Sequence, residues 1–535
     1  MAVMRKDDTD RGRQDIAAPN SRSPHRSLVQ EAEERAMRQP TAVAIVDGHR
    51  QLTYADLLGH ARGIVRTLRD AGLAQGDVVS FQLPNWWETA AINLACSIGG
   101  WVCNPITPIY REYELEHILR DSRSRALFVP VSWRKTDYVA MISPLRPRLS
   151  HLILVITVRG RAKEALSWDE IARHEHPVEP AEPLASEPKL LLYTSGTTGV
   201  AKGVLHSHAG IASELGAVCD FWRVTDKDVM LMPSPVTHIA GYLYALEMVF
   251  FAGCRIVLMD KWEASDAVDL ALTYDVTITC GATPFLIELA AALAQCGIQL
   301  PAWRIFACGG ASVAPEQIAH ASAMLPNALI FRIYGSTETP TVTLGINRVE
   351  DRWLGVSTDG RIVNNEVVIW DEQAGQAADD GVEGEIFVKG PEVMMGYTDP
   401  QQTAEAFTDD GFFRTGDLGV RRGGTITITG RKKDLIVRGG ENISPREVED
   451  LLLRLPEVLE AAVVGMPHPR LAETPCAFLT LKAGTSLTLE QAVAHLRAAG
   501  LASQKLPERL DIIEYMPRNA SGKILKHELR ARLVP

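Results

Sequence analysis

Tyr193-Thr194-Ser195-Gly196-Thr197-Thr198-Gly199-Val200-Ala201-Lys202-Gly203 is the stretch around which the rest of the chain is read. It follows Leu190-Leu191-Leu192, an apolar run that reads as the end of a buried strand. Its glycines free the backbone to turn sharply and to approach a ligand closely. The hydroxyls of Thr194, Ser195, Thr197 and Thr198 surround those glycines, and Lys202 adds a mobile positive charge. This is the chemistry of a loop that wraps a polyphosphate. It is not a Walker A loop, which needs Gly-Lys-Ser/Thr, whereas Lys202 here lies between Ala201 and Gly203. Taken alone, the same residues would also serve as a Gly/Thr-rich surface turn without a ligand.

The whole chain narrows the choice. Its 535 residues suffice for two to four domains with sizeable cores. Hydrophobic residues make up 46% and charged residues 23%, the balance of a water-soluble globular protein. A net charge of −11 argues against nucleic acid as the main partner. The eight cysteines are scattered without a C-x-x-C pair, so neither a zinc site nor a disulfide framework is suggested, and most read as reduced core residues. Residues 1–27 mix Arg, Lys and Asp without an apolar segment, and read as a disordered lead-in rather than an export signal. The most apolar long stretch, Ile239 to Met259, contains Glu247, Gly253 and Arg255 and reads as a buried strand–helix element, not a membrane span. A cytoplasmic location is the default.

Outward from the opening stretch, strands and helices alternate. Thr53 with Asp56 caps a helix carrying Leu57, Ala61, Ile64, Val65 and Leu68 at helical spacing. Asp77–Leu83 reads as a strand and Ala90–Ile98 as an apolar helix. Downstream, strands are expected at Val229–Met232, Arg255–Met259, Val276–Cys280, Arg304–Cys308 and Leu329–Tyr334. Helices are expected at Ala264–Tyr274, Pro284–Gln295 and Pro315–Met324. Such alternation implies an α/β fold with parallel sheets covered on both faces. Ligands then gather beyond the carboxyl ends of the strands. Polar, Gly-rich stretches follow four of these strands: Pro233–Gly241, Gly281–Thr283, Gly309–Ala311 and Gly335–Glu338. With the opening loop they make five, all expected on one edge around one site. Beyond residue 360, short strands between Gly- and Asp-rich turns read as a small β unit, and an α+β unit follows Lys432.

Five ordered motifs then carry a resemblance. They are Tyr193–Gly203, Tyr334-Gly335-Ser336-Thr337-Glu338, Arg414-Thr415-Gly416-Asp417, Gly430–Asp434 running into Gly439-Gly440-Glu441-Asn442-Ile443, and Pro517–Lys523. In this order the chain resembles the adenylate-forming superfamily: acyl-CoA synthetases, carrier-protein adenylation domains and luciferases. Within it, the His238–Tyr242, Gly281–Leu286 and Tyr110–Leu115 regions look most like ligases for medium-chain or alicyclic acids such as cyclohexanecarboxylate. The resemblance implies a large N-terminal domain (28–431) of two stacked parallel-type αβ sheets, divided at about 28–185 and 186–360, with a small β-barrel subdomain at 361–431. It implies a small, mobile α+β C-terminal domain at 432–535. The implied reaction joins a carboxylate to ATP as an acyl-adenylate, releasing pyrophosphate, and then passes the acyl group to the thiol of coenzyme A.

The resemblance also implies roles. Lys523 would bridge the substrate carboxylate and the α-phosphate. Glu338 would hold Mg²⁺ and Thr337 would touch phosphate; a hard cation beside nucleotide phosphates takes few protein carboxylates. Thr194, Ser195, Gly196, Thr197, Thr198, Gly199 and Lys202 would grip the outer phosphates. Gly309, Gly310, Ala311, Tyr334, Gly335 and Ser336 would line the nucleotide, with Tyr334 against adenine. Asp417 and Arg431 would hold the ribose hydroxyls, Lys433 would be the hinge, and Gly439-Gly440 would approach the thiol. His238 would gate an acyl pocket walled by Gly241, Tyr242, Ala282, Thr283, Gly335, Thr339 and Pro340. That wall offers no charge for a second acidic group, so a mostly apolar acid is expected. Three places depart from the family pattern: Ala201 replaces a proline, Asp359–Glu366 lacks the usual Pro-Gly, and Asn519 stands where Thr is common. An acyl carrier protein is the alternative thiol donor, and a catalytically silent nucleotide-binding protein is the alternative class. Monomer and homodimer both remain open.

Overall fold

The structure is a computed structural model that describes residues 27–171, 177–194, 201–310, 313, 315–518 and 523–533. All of the expected lead-in except Ser27 lies outside the described residues. Ser27 caps the helix Leu28–Arg38 in a capping box with Gln30. The Thr53/Asp56 capping box forms as expected at the start of Tyr54–Asp70. Among the described residues no helix is long and apolar enough to cross a membrane.

Two large sheets stack. The first has seven strands in the order Leu329–Arg332, Ile305–Gly309, Ile278–Ala282, Val229–Met232, Arg255–Leu258, Val43–Asp47, Arg50–Thr53. All its pairings are parallel except the last. The second has eight, in the order Gly396–Tyr397, Lys202–Ser207, Pro188–Thr194, Val102–Pro105, Val78–Phe81, Ala126–Pro130, Leu154–Val158, Leu166–Ser167. Between them runs the helix Glu88–Gly99, every residue of which is buried. A helix apolar on all sides needs such a place. One core cluster takes side chains from both sheets, Phe81 and Cys103 from one and Met230 and Ile305 from the other.

The expected division near residue 185 does not follow the sheets. Val43–Asp47 and Arg50–Thr53, early in the chain, pair with the first sheet through Arg255–Leu258. Pro188–Thr194 and Lys202–Ser207 complete the second. Alternation along the sequence reports local pattern, whereas sheet membership is set by long-range pairing that the pattern does not encode. Ile239–Met259 also corrects its expectation, because the order is helix then strand. A helical turn (Ile239–Gly241), a π-helical segment (Tyr242–Glu247) and a further helical turn (Met248–Phe251) precede the strand Arg255–Leu258. Glu247 is tolerated in this apolar run because Lys189 Nζ lies 3.2 Å from it and the Tyr242 hydroxyl donates to it at 3.0 Å.

After residue 360 comes an antiparallel five-stranded sheet, Gln376–Ala377, Glu366–Asp371, Glu383–Lys389, Phe413–Arg422, Thr425–Arg431. Isolated bridges Arg361–Thr425, Thr343–Ile362 and Tyr334–Thr343 carry its hydrogen bonding round to Tyr334. A short 3-10 turn, Lys432–Asp434, leads to the last unit. There Val458–His468 pairs with Ala472–Leu481 over its own apolar cluster, with helices Pro445–Leu452 and Leu489–Ala498. Its contact with the preceding sheet is polar. Ser444 Oγ donates to the Thr429 carbonyl at 2.5 Å, and Arg446 lies 3.6 Å from Asp359.

Candidate active site

Four of the five expected loops do share one edge. The strands ending at Met232, Ala282, Gly309 and Arg332 are neighbours in one parallel sheet, so their carboxyl ends open side by side. The fifth does not belong to that edge. Pro188–Thr194 and Lys202–Ser207 form an antiparallel hairpin in the other sheet, with Thr194 paired to Lys202. The described flanks of the opening stretch are therefore two antiparallel strands, with a strand, not a helix, beginning at Lys202. Ser195, Gly196, Thr197, Thr198 and Gly199 lie outside the described residues, as does Ala311. The flanks of the hairpin connection are pinned. The Tyr193 hydroxyl donates to Asp121 at 2.6 Å, and His117 Nε2 meets the Ala201 carbonyl at 2.9 Å.

One imidazole joins the two sheets. His206, on the hairpin, places Nε2 2.7 Å from the Thr337 carbonyl. A carbonyl only accepts, so this nitrogen carries the proton. Burial pushes His206 down to about 4, which keeps it neutral at pH 7. The loop it supports folds tightly on itself. Ser336 N–H donates to the Thr339 carbonyl at 2.8 Å, and Ser336 Oγ accepts from Glu338 N–H at 3.2 Å. Thr339 is buried, and its Oγ1 has no hydrogen-bond partner among the described residues.

Beside the loop lies a cavity of about 240 Å³ lined by Lys202, Ser336, Glu338, Tyr397, Arg414, Thr415 and Arg431, among others. The Tyr397 hydroxyl donates to Glu338 Oε1 at 3.0 Å, and Lys202 Nζ lies 5.1 Å from the centre of the Tyr397 ring. Tyr397 was absent from the sequence reading. It becomes a neighbour because Gly396–Tyr397 pairs with the hairpin, Val204 opposite Tyr397. Two carboxylates, Glu338 and Glu405, among Lys202, Arg414 and Arg431 suit Mg²⁺ carried in on nucleotide phosphates better than a metal caged by protein. Among the described residues no group of three or more His, Cys, Asp or Glu could hold a metal alone. Loss of the tyrosine hydroxyl in Tyr397→Phe should raise the KM for Mg·ATP about three- to tenfold with kcat changed less, measured by pyrophosphate release.

On the other side of the cavity Asp417 is buried between two partners. Arg431 Nε donates to its Oδ1, and the Tyr334 hydroxyl donates to Oδ2 at 2.9 Å. Lys523 comes over this pair from the last unit. Water reaches its side chain, yet enough protein crowds it that desolvation, helped by Arg431, pulls its ammonium down to about 8 against the opposing pull of Asp417. The same charge is felt by His238, which burial and Lys523 push down to about 4. Lys523 is thus within electrostatic reach of His238 and of Arg431 and Asp417, although it belongs to a separate unit. Lys433 sits in the connecting turn, and Gly439-Gly440 forms a hairpin turn with both φ positive, at 59° and 92°.

The proposed acyl wall is packed tightly. A Cβ on Gly241 would stand 2.0 Å from the Pro235 carbonyl oxygen, and one on Gly335 would stand 1.9 Å from that of Pro340. These glycines therefore let the chain approach itself. Gly309 likewise abuts Ile333, whereas Gly310, at φ 82°, has open space. Ala282 and Thr283 are buried at the start of the helix Thr283–Cys296, where Cys308 Sγ points at the Thr283 hydroxyl. Tyr242 is fully buried with its hydroxyl donating to Asn93 at 2.7 Å as well as to Glu247, so that hydroxyl is engaged within the core.

A polar cavity lined by Lys202 from the hairpin together with Glu338 and Arg431 fits the sequence motifs, and sequence comparison decides the family. The AMP-binding enzyme family matches residues 32–398, and the AMP-binding enzyme C-terminal domain matches residues 447–523. The chain belongs to the AMP-binding enzyme family. A medium-chain fatty-acid–CoA ligase of Escherichia coli (strain K12) is 36% identical over 512 residues, spanning 94% of this chain and 90% of its own. A 2-hydroxy-7-methoxy-5-methyl-1-naphthoate–CoA ligase of Streptomyces carzinostaticus is 32% identical over 97% of this chain and 95% of its own. Among solved structures, ATP-bound MatB from Rhodopseudomonas palustris superposes with a TM-score of 0.84 at 28% identity, covering 95% of this chain and 98% of that one. In this AMP-binding enzyme the stretch Asp359–Glu366, read from the sequence as lacking the usual Pro-Gly, has its own backbone anchors. Asn364 takes the left-handed conformation, φ 60°, that asparagine tolerates better than most residues. The Asp359 carboxylate accepts from Ile428 N–H at 2.8 Å.

Proposed function

We propose that the chain is an ATP-dependent carboxylic acid–CoA ligase acting on a mostly apolar medium-chain, alicyclic or aromatic acid. The enzyme class is that of AMP-forming acid–thiol ligases. The observation that supports the reading is the electrostatic interaction of Lys523 with Arg431, Asp417 and His238, Arg431 lining the same cavity as Lys202 and Glu338.

The first step brings a carboxylate to a phosphate. At about 4 Å and an effective dielectric near 20, two unit negative charges repel by about 4 kcal/mol. Lys523 offers a positive charge between them, and Lys202 and Arg431 offer charge for the remaining phosphate oxygens. Bound Mg²⁺, held through Glu338, would neutralise phosphate charge and favour loss of pyrophosphate. Asp417 would accept from the ribose hydroxyls. In exchange it would share its present donors, Arg431 and Tyr334. His238, neutral at pH 7, would stand between the acyl group and the entering thiol. Gly439-Gly440 would reach the site when the last unit turns about Lys433, which withdraws Lys523 and admits coenzyme A.

A panel of carboxylic acids graded by length and ring content tests this, with pyrophosphate release read separately from thioester formation. Medium-chain, alicyclic or aromatic acids should drive both steps with free coenzyme A. Neighbouring chain lengths should differ by about 10- to 200-fold at most, since a methylene in an apolar pocket discriminates no better. Pyrophosphate release with thioester formed only on a holo carrier protein would replace coenzyme A as acceptor. No release with any acid would overturn the reading.

A further inference from the structure

Two carboxyl groups outside the cleft are buried against each other. Glu214, on the helix His208–Trp222, and Glu392 are each 1% exposed. Glu214 Oε1 accepts from the Tyr244 hydroxyl at 3.0 Å and from the Thr341 hydroxyl. Its Oε2 is enclosed, and among the described residues no N–H or hydroxyl reaches it. Glu392 lies within side-chain hydrogen-bonding contact of Glu214. Glu392 is bonded in the opposite sense. Oε1 accepts from Asn364 Nδ2 at 2.5 Å, and Oε2 accepts from Asn365 Nδ2 at 2.9 Å.

This pattern fixes one proton. Two ionised carboxylates side by side in a buried site repel strongly. Glu392 has an amide donor on each oxygen and is the acceptor. Glu214 has donors on one oxygen only, so a proton on the other completes its bonding and gives Glu392 a third donor. Burial and the Glu392 carboxylate push Glu214 well up, in keeping with that assignment.

The pair grips the phosphate-side loop from behind. Thr341, which ends that loop, gives its hydroxyl to Glu214 while its carbonyl accepts from Asn365 Nδ2 at 3.1 Å. Two residues beyond Glu392, Met394 N–H donates to the Glu338 carbonyl at 2.8 Å. Asn364 Nδ2 also meets Ser213 Oγ, beside Glu214, at 2.9 Å. Asn364 and Asn365, within the stretch read as lacking the family's usual Pro-Gly, are thus the donors that hold Glu392. We propose that Glu214 and Glu392 share one proton, resident on Glu214, and act as positioning residues for the loop Ser336–Thr341. The role rests on that loop's proposed contact with nucleotide.

Isosteric exchanges at the two positions are not equivalent under this proposal. In Glu214→Gln the amide can donate to Glu392 while its oxygen accepts from Tyr244 and Thr341, so pyrophosphate release should stay within about threefold of wild type. In Glu392→Gln an NH₂ group faces donors, and kcat/KM for ATP should fall about tenfold or more, with kcat lowered in protein still folded at the assay temperature. Infrared spectra should show a buried protonated-carboxyl C=O band in wild type at neutral pH that Glu214→Gln removes. The proposal is overturned if Glu392→Gln is silent, if Glu214→Gln is the more damaging exchange, or if that band is absent from wild type or survives in Glu214→Gln. Should Glu392→Gln not fold, the infrared band alone decides. Should wild type release no pyrophosphate with any acid, the functional reading fails while the band still judges the pair.

Discussion

Lys523→Ala should lower acyl-adenylate formation by about 10²–10³-fold, the usual cost of removing one charge-stabilising group from a preorganised site. Thioester formation from preformed adenylate should stay within a few-fold of wild type. The first step is the one in which two anions meet, and Lys523 is the cation that the last unit brings over Asp417 and Arg431. The second step has no such encounter. The pH dependence tests the same residue. Its ammonium is held down to about 8, so the charge is present below that pH and lost as pH rises through it. kcat/KM for adenylation, which reports free-enzyme ionisations, should therefore fall with a midpoint near pH 8. His238 and His206 are neutral well before that range, each at about 4, and do not supply this limb. In Lys523→Ala the limb should disappear along with the rate. Equal loss in the two half-reactions would remove Lys523 from the role proposed here.

Motifs and periodicity were legible; pairing was not. The helices Ala264–Tyr274 and Pro315–Met324 stand where hydrophobic spacing and a first-turn proline put them. Four glycine-rich loops share an edge because parallel strands that follow one another must end on the same side. The strand before the opening loop belongs to the other sheet, and nothing local says that Pro188–Thr194 pairs parallel with Val102–Pro105, some ninety residues earlier. The same limit hid Tyr397 and His206. Each reaches the cleft only through cross-strand neighbours, Tyr397 opposite Val204 and His206 opposite Leu190. The Asn364-Asn365 departure was visible as a missing Pro-Gly. What it does instead was not, since Glu392 lies 27 residues beyond Asn365 and Glu214 lies on a distant helix.

Gly335→Ala should be the most damaging change that adds no charge and removes no functional group. The glycine is not there for its dihedral angles, since its φ is outside the left-handed region. It is there because a Cβ would stand 1.9 Å from the Pro340 carbonyl oxygen and 3.0 Å from that of Thr339. Both are backbone atoms, so no side chain can rotate away. A carbon–oxygen contact relaxes only near 3.3 Å, which asks the loop to open by about 1.4 Å. The loop cannot open freely. His206 holds the Thr337 carbonyl, Met394 holds that of Glu338, and Thr341 is held on both faces. The displacement therefore falls on Thr337 and Glu338, between those anchors. A misplacement of about 1 Å at a reacting centre costs on the order of 10²-fold. Adenylation should drop by about that factor, with kcat affected more than the KM for the acid. Thioester formation from preformed adenylate should fall much less. Gly297→Ala is the control, because a Cβ there meets nothing within 4 Å and only its φ of 67° is strained. That variant should lose about 1 kcal/mol of stability and little of its adenylation rate. If Gly335→Ala adenylates as fast as Gly297→Ala, the tight turn at Gly335 is not what places Glu338.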